Sequence, residues 1–149
     1  WLEQQLRKPA ELRIIASSIQ FVAQAAGQET WSNLPAERTR MLDLIRRTRA
    51  SGVLIVSGDR HWAELSVASA GYPIYDLTSS SFNQQHARGT PTENQYRVTD
   101  RTYHQENYGL ISIDWEAADP DIEMRIIGID GKIAIGLSIH LSDLQFASP

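Results

Sequence analysis

The sequence contains no cysteine, which excludes disulfide bonds and thiolate chemistry from this 149-residue chain. It also has no apolar run of the length that crosses a membrane. Basic residues are fewer than acidic ones, 14 against 18, and the net charge of −4 argues against a nucleic-acid-binding protein that neutralises phosphates. No glycine-rich loop follows an apolar run, which disfavours a nucleotide-binding α/β domain. The 42% hydrophobic and 21% charged residues are typical of a globular protein, and the length predicts one domain.

The first half of the chain alternates predicted helices and strands. An amphipathic helix is predicted over residues 1–8, and a second helix is predicted from Pro35. Gly52 is expected to end this second helix. Short buried strands are predicted over residues 12–16 and from Val53. This order of elements is typical of an α/β layer.

The second half of the chain has short apolar runs that predict antiparallel strands. Residues 65–70 and 74–78 form one predicted pair of strands. A polar segment without periodicity follows over residues 80–107. The Asp130–Gly131 dipeptide is a hairpin signal inside a predicted β-meander, which has strands over residues 110–115, 122–129 and 132–139. The predicted fold class is therefore α/β in a layered α+β arrangement.

The most informative stretch is VLIVSGDRH, from Val53 to His61. Its aliphatic run predicts a buried strand, and Gly58 permits a sharp turn at the carboxyl end, where open α/β sheets place their chemistry. Asp59 and His61 follow in one loop and offer an oxygen and a nitrogen ligand to a metal ion. The alternative is structural, with Asp59 capping the turn and His61 bonded to a backbone carbonyl.

With its flanks this stretch is SGDRHWAELS, and it resembles the last metal-binding motif of alkaline phosphatase D (PhoD-like) enzymes in the metallophosphoesterase superfamily. Other stretches resemble the same family in the same order along the chain: WLEQQL at 1–6, IIASSIQ at 14–20, WSNLPAER at 31–38, YDLTSS at 75–80 and NYGL at 107–110. The resemblance spans nearly the whole chain, and its specificity comes from the ordered set rather than from any one motif.

The resemblance implies a fold and an activity. The implied fold is part of a two-sheet sandwich flanked by helices, ending in an antiparallel β-meander. The implied activity is hydrolysis of phosphate mono- or diesters with two or more divalent or trivalent metal ions, such as iron, calcium or zinc. Asp59 and His61 would be the catalytic residues, with His61 as a metal ligand and Asp59 either as a second ligand or as a group that orients His61 or a metal-bound water. The family also suggests a periplasmic or secreted protein.

The resemblance further implies that residues 1–149 are the C-terminal portion of a single metallophosphoesterase-like catalytic domain. Family members carry their first metal ligands in an N-terminal half, upstream of the WLE helix. That half and a small phosphate ester are the expected partners, whereas neither a nucleic acid nor a membrane span is expected. Many metallophosphoesterases have a metal-binding histidine where this chain has Ser17, Ser18 and Gln20, so no ligand is assigned there.

Arginine side chains are weak candidates for binding the substrate, because a guanidinium fork matches the geometry of a phosphate group. The candidates are Arg60, Arg88 and Arg101. For Arg60 we favour an exposed ion pair over a role in charge stabilisation. We likewise expect the polar segment 80–107, with His86 and His104, to be a solvated loop rather than a cover over the site.

Other polar and aromatic residues near the motif have structural interpretations. We expect Glu64 to hold the loop through a backbone or arginine contact, and Trp62 to pack beneath it. His140 lies on the last predicted strand and is interpreted as structural.

A second function is compatible with the same sequence. The chain would then be a non-catalytic structural or assembly module, which retains half of the fold without a complete metal centre. Codons for aspartate-rich loops upstream of Trp1 would favour the enzyme, and a start codon or an unrelated domain there would favour the module.

Overall fold

Two β-sheets and one long helix form most of the molecule, as seen in a computed structural model that describes residues 1–24, 28–84 and 93–147. The helices are α1 (Leu2–Leu6) and α2 (Pro35–Thr48), with 3₁₀ turns at Trp31–Asn33 and Leu141–Leu144. The strands are β1 (Arg13–Ser17), β2 (Val53–Ser57), β3 (Ala63–Ser69), β4 (Pro73–Ser79), β5 (Asn107–Asp114), β6 (Asp121–Gly128) and β7 (Ile133–His140).

The first sheet has the strand order β1-β2-β4-β3. Strands β1, β2 and β4 are parallel, and β3 pairs antiparallel with β4. Ser17 is in register with Ser57, and Ser57 with Thr78. The carboxyl ends of three strands therefore meet at one edge of this sheet, which is the edge that carries the candidate site.

The second sheet is the predicted β-meander, with the order β5-β6-β7 and antiparallel pairing throughout. At the turn between β6 and β7, Gly131 has a φ of 76° and Asp130 accepts the backbone N–H of Lys132 at 3.1 Å. The left-handed conformation favours glycine, which explains why the Asp-Gly dipeptide predicted this turn correctly.

One apolar core joins the helix to both sheets. It contains Met41 and Ile45 of α2, Ile55 of β2, and Met124 and Ile126 of β6. Full burial of an isoleucine side chain contributes roughly 1.5–3 kcal/mol. Shared packing of this kind predicts that the two sheets unfold together.

A cleft of about 550 Å³ separates the sheets on the side of β1 and β2. The sheets approach closely at β4 and β5, where a Cβ atom added to Gly109 would lie 3.2 Å from Ser79 Cβ. Toward β1 the two sheets diverge. Ile14 shares one face of β1 with Ala16, and because no described residue of the second sheet covers it there, its side chain is 54% exposed. The lining residues are Ala16, Ser17, Val56, Ser57, Leu77, Ser79, Phe82, Asn107, Tyr108, Gly109 and Ile111. An apolar sheet face is therefore left without a covering layer among the described residues.

The second helix ends earlier than the sequence predicts. Arg49, with a φ of 51°, is its left-handed C-cap, and Gly52 lies in the following turn. Gly52 instead allows a close approach of two backbone segments, because a Cβ atom there would lie 2.0 Å from the carbonyl oxygen of Glu11. The prediction for Gly52 was wrong because the need for glycine arises from a contact distant in sequence.

Part of the polar segment is not a solvated loop, which corrects a second prediction. The Val67 N–H donates to the Tyr96 carbonyl, and the Val98 N–H donates to the Leu65 carbonyl, both at 2.8 Å. Ala63 and Tyr103 form a further antiparallel bridge. Residues 96–103 therefore run along β3 and shield its open edge. The pairing has no local sequence signal, since it joins residues about thirty to forty positions apart.

No helix in the described ranges combines the length and the hydropathy needed to cross a membrane.

Candidate functional site

The candidate site is the loop at 58–62, which joins β2 to β3 at the carboxyl edge of the first sheet. The buried residues Val53, Leu54 and Ile55 hold β2 in the interior. At the end of this strand, the Ser57 hydroxyl donates to the Asp76 carboxylate at 2.7 Å. The start of the loop is therefore held by a buried strand, which the aliphatic run in the sequence predicted.

The backbone of the loop adopts an unusual conformation. Asp59 has a φ of 68° and His61 a φ of 56°, both in the left-handed region. For residues other than glycine this conformation costs roughly 1–2 kcal/mol each. The Ser80 hydroxyl offsets part of this cost, because it accepts the N–H groups of Arg60 and His61, each at 2.9 Å, and donates to the Trp62 carbonyl at 3.2 Å. Strain retained in this way is typical of functional loops.

The side chains of Asp59 and His61 are free to bind a ligand. Asp59 is exposed and His61 is half-buried. Neither side chain has a hydrogen bond or an ion pair to any residue that the structure describes, so the capping contacts of the structural alternative are not observed. A carboxylate and a neutral imidazole fit a borderline metal ion. However, no group of three or more potential metal-binding side chains occurs within ranges 1–24, 28–84 and 93–147.

Arg60, between these two residues, turns inward, so the predicted exposed ion pair is wrong. Its side chain is only 4% exposed, and its guanidinium carbon lies 4.1 Å from the centroid of the Trp62 ring. Nη1 donates to Gln28 Oε1 at 3.0 Å. The buried aromatic face of Trp62 offers this cation a better environment than the loop composition suggested.

Glu64 holds the region below the loop, as predicted from its position after the motif. Its carboxylate is fully buried and accepts hydrogen bonds from Gln20 at 2.6 Å and Arg97 at 2.7 Å. Asn94 donates to it at 3.2 Å and the Trp62 indole at 3.3 Å. Burial raises the pKa of Glu64, but these hydrogen bonds and the charge of Arg97 outweigh burial and leave the pKa below its usual value.

Asp76 is a buried acid that the motif analysis overlooked. It accepts the N–H groups of Phe21 at 2.8 Å and Val22 at 2.9 Å, besides the Ser57 hydroxyl. Burial raises the pKa of Asp76 despite these donors. The available sequence signal was an acid within the predicted strand 74–78, at a position that alternation places on a buried face.

Gln20 follows the end of β1 and lies beneath the loop at 58–62. Its amide nitrogen donates to Glu64 and, at 3.0 Å, to Thr78. The side chain is completely buried. Gln20 therefore belongs to the polar layer beneath the loop.

The remaining arginine and histidine candidates lie in different parts of the chain. Arg101 is exposed and pairs with Asp100 at 3.2 Å. Arg88 and His86 lie outside the described residues. His104 does approach the loop, with its ring centroid 5.8 Å from that of Trp62. His140 lies on β7 and pairs with Asp121 at 3.0 Å, as a structural role predicts.

Comparison with solved structures identifies the fold. A structure titled "Structure of PhoD" matches with a probability of 1.00 and a TM-score of 0.59, at 14% sequence identity. The chain folds like part of PhoD. The match covers 93% of this chain and 31% of the PhoD chain, so this sequence spans about a third of that protein. The resemblance to PhoD and the predicted fold class, including the final meander, are confirmed at the level of fold. No known family profile and no curated protein matches the sequence.

Proposed function

We propose that this chain contributes the loop at 58–62 to a metal-dependent phosphate ester hydrolase of the PhoD type. Asp59 and His61 would serve as metal ligands, in a centre completed by residues of a further segment. The observation that carries this proposal is the pair of unbonded ligand side chains on a strained loop. That loop lies at the carboxyl edge of a sheet with the fold of part of PhoD.

The chemistry of the two side chains suits this role. His61 offers a neutral imidazole, which binds a cation without losing a charge, and Asp59 offers a carboxylate oxygen. When bound, metal ions in such centres supply positive charge for the phosphoryl oxygens and activate water. Ser80 fixes the backbone between the two ligands through its two accepted N–H groups. Iron, zinc and calcium are all compatible with a carboxylate and an imidazole.

The remaining ligands are proposed to come from a segment that covers the cleft between the sheets. Two ligands do not complete a dinuclear centre, and the apolar face around Ile14 lacks a covering layer among the described residues. A segment that packs there would reach the carboxyl edge of the first sheet, where Asp59 and His61 lie.

A non-catalytic assembly module is the second candidate. It is favoured by one specific observation, namely that the described residues bring together no set of three potential metal ligands. In that case the strained loop would serve only to bind a partner chain.

The proposal is tested first in the gene and then in the protein. Codons for aspartate-rich loops upstream of Trp1 would support the hydrolase, whereas a start codon directly before Trp1 would support the module. For the encoded protein, elemental analysis after purification is expected to show iron, zinc or calcium at one or more ions per chain. A metal-free protein that neither takes up these ions nor hydrolyses phosphate esters would overturn the proposal.

A further inference from the structure

The side chain of Arg60 turns inward, although its neighbours Asp59 and His61 are exposed and half-buried. We propose that Arg60 is a positioning residue, whose buried guanidinium fixes the loop so that Asp59 and His61 present their side chains outward. The consequence for metal binding rests on the proposed function, whereas the effect on the loop does not.

Two contacts anchor the guanidinium on different parts of the fold. It stacks on Trp62 at 4.1 Å, and Trp62 is in turn bonded to the buried carboxylate of Glu64. Its Nη1 donates to Gln28, in the segment between β1 and α2. Arg60 thereby links the loop both to β3, through Trp62 and Glu64, and to the segment between β1 and α2, through Gln28.

A role in filling space does not explain this residue. Its Nε and Nη2 atoms are buried without a hydrogen-bond partner among the residues that the structure describes. Leaving buried donors unpaired costs free energy, and an apolar side chain of similar volume avoids that cost. Burial also lowers the pKa of Arg60, although the charges of Glu64, Asp59 and Glu29 oppose this effect. The buried arginine therefore costs stability that an apolar residue would not, and its directional contacts to Gln28 and Trp62 explain its presence.

The loop needs such an anchor because its conformation is unfavourable on its own. Both neighbours of Arg60 have positive φ values. Without the tie to Gln28 and Trp62, the restraint left among the described residues is the hydroxyl of Ser80. We expect the loop then to relax toward ordinary φ values. This change would rotate the Asp59 and His61 side chains away from their present directions.

Hydrogen exchange measured by NMR tests the positioning role without any metal. Arg60→Met keeps the apolar stem but removes the donor to Gln28, and Gln28→Leu removes the acceptor. Both variants are expected to speed exchange of the His61 amide about tenfold or more, while amides of β6 are unchanged. Arg40→Met, at an exposed arginine on α2, is the matched control and should change neither. Unchanged exchange at His61 in both variants would overturn the inference.

Titration with zinc chloride, followed by calorimetry, tests the link to the proposed function. Zinc affinity is expected to fall about tenfold in Arg60→Met and in Gln28→Leu, but not in Arg40→Met. If the protein that includes the segment completing the centre binds no zinc while exchange still increases in the variants, the positioning role stands and the metal-binding function of the loop fails. If zinc binds equally to the parent and both variants, Arg60 does not position the ligands.

Discussion

The carboxylate of Asp76 on β4 accepts the backbone N–H of Val22 at 2.9 Å, so a buried acid fixes the chain segment that follows β1. The same carboxylate accepts the hydroxyl of Ser57, at the end of β2. Three pieces of chain that lead into the candidate site therefore meet at one side chain, and the loop at 58–62 depends on a group that it does not touch.

Replacing this acid should destabilise the fold. In Asp76→Asn the amide oxygen can still accept both backbone N–H groups, but the amide nitrogen then faces the Ser57 hydroxyl, which loses this acceptor, and a neutral amide accepts more weakly than a carboxylate. We expect the free energy of unfolding to fall by about 1–3 kcal/mol. Urea denaturation measures the change, and Asp100→Asn, at an exposed acid, is the control. Equal stability of the two variants would show that Asp76 contributes little.

Glu64 should make stability depend on acid pH. Its pKa is lowered in the folded state from an ordinary value of 4.5, so its contribution is present above pH 4.5 and is lost as the pH falls through the lowered value. Glu64→Gln should reduce stability by about 1–3 kcal/mol at pH 7, and the difference from the parent should narrow in acid. Thermal denaturation from pH 7 down to pH 3 checks this. A difference that stays constant, or that grows in acid, would contradict it.

The 149-residue chain by itself should show little or no phosphatase activity, because one loop with two ligands does not provide a dinuclear centre. The assay uses p-nitrophenyl phosphate and its bis-ester with iron, zinc, calcium and manganese salts. Robust metal-dependent turnover by this chain would show that it holds a complete site.

In the active protein, loss of His61 should have the largest effect among the histidines. His61→Ala is expected to remove most of the metal at one position and to lower kcat by about 100-fold or more, since a misplaced ion disrupts attack geometry. Asp59→Asn should fall between His61→Ala and the parent. His140→Ala, on the second sheet, is the control and should remain within a few-fold. Full metal content and near-parental kcat in His61→Ala would exclude the loop as a metal site.

The uncovered sheet face should promote self-association of the isolated chain. Ile14 lies on that face and is 54% exposed. Sedimentation velocity is expected to show oligomers that Ile14→Glu reduces. Ile129→Glu provides a matched control, because Ile129 is 81% exposed at the turn between β6 and β7. A monodisperse parent monomer, or equal effects of the two variants, would argue against this role for the cleft.

Local sequence signals predicted much of the fold. The aliphatic run of β2 and the Asp-Gly turn at Asp130 both act through nearest neighbours, and both are observed. The β-meander follows for the same reason, because hairpins need only short connections.

Features that depend on distant contacts were not predicted. The inward turn of Arg60 requires the Trp62 face and Gln28, and the edge pairing at Tyr103 requires β3. The role of Asp76 depends on where the backbone at Phe21 passes. Periodicity and composition do not predict these contacts, because the partners come together only when the chain folds.

The hydroxyl of Ser80 makes three bonds to the backbone of the loop, although it lies beyond the end of β4. The shape of the loop is thus not encoded solely in the five residues that form it. Grafting Gly-Asp-Arg-His-Trp onto another scaffold would transfer the ligands without their geometry. A transplant that aims to rebuild this site must also carry the Ser80 hydroxyl, which directly follows β4.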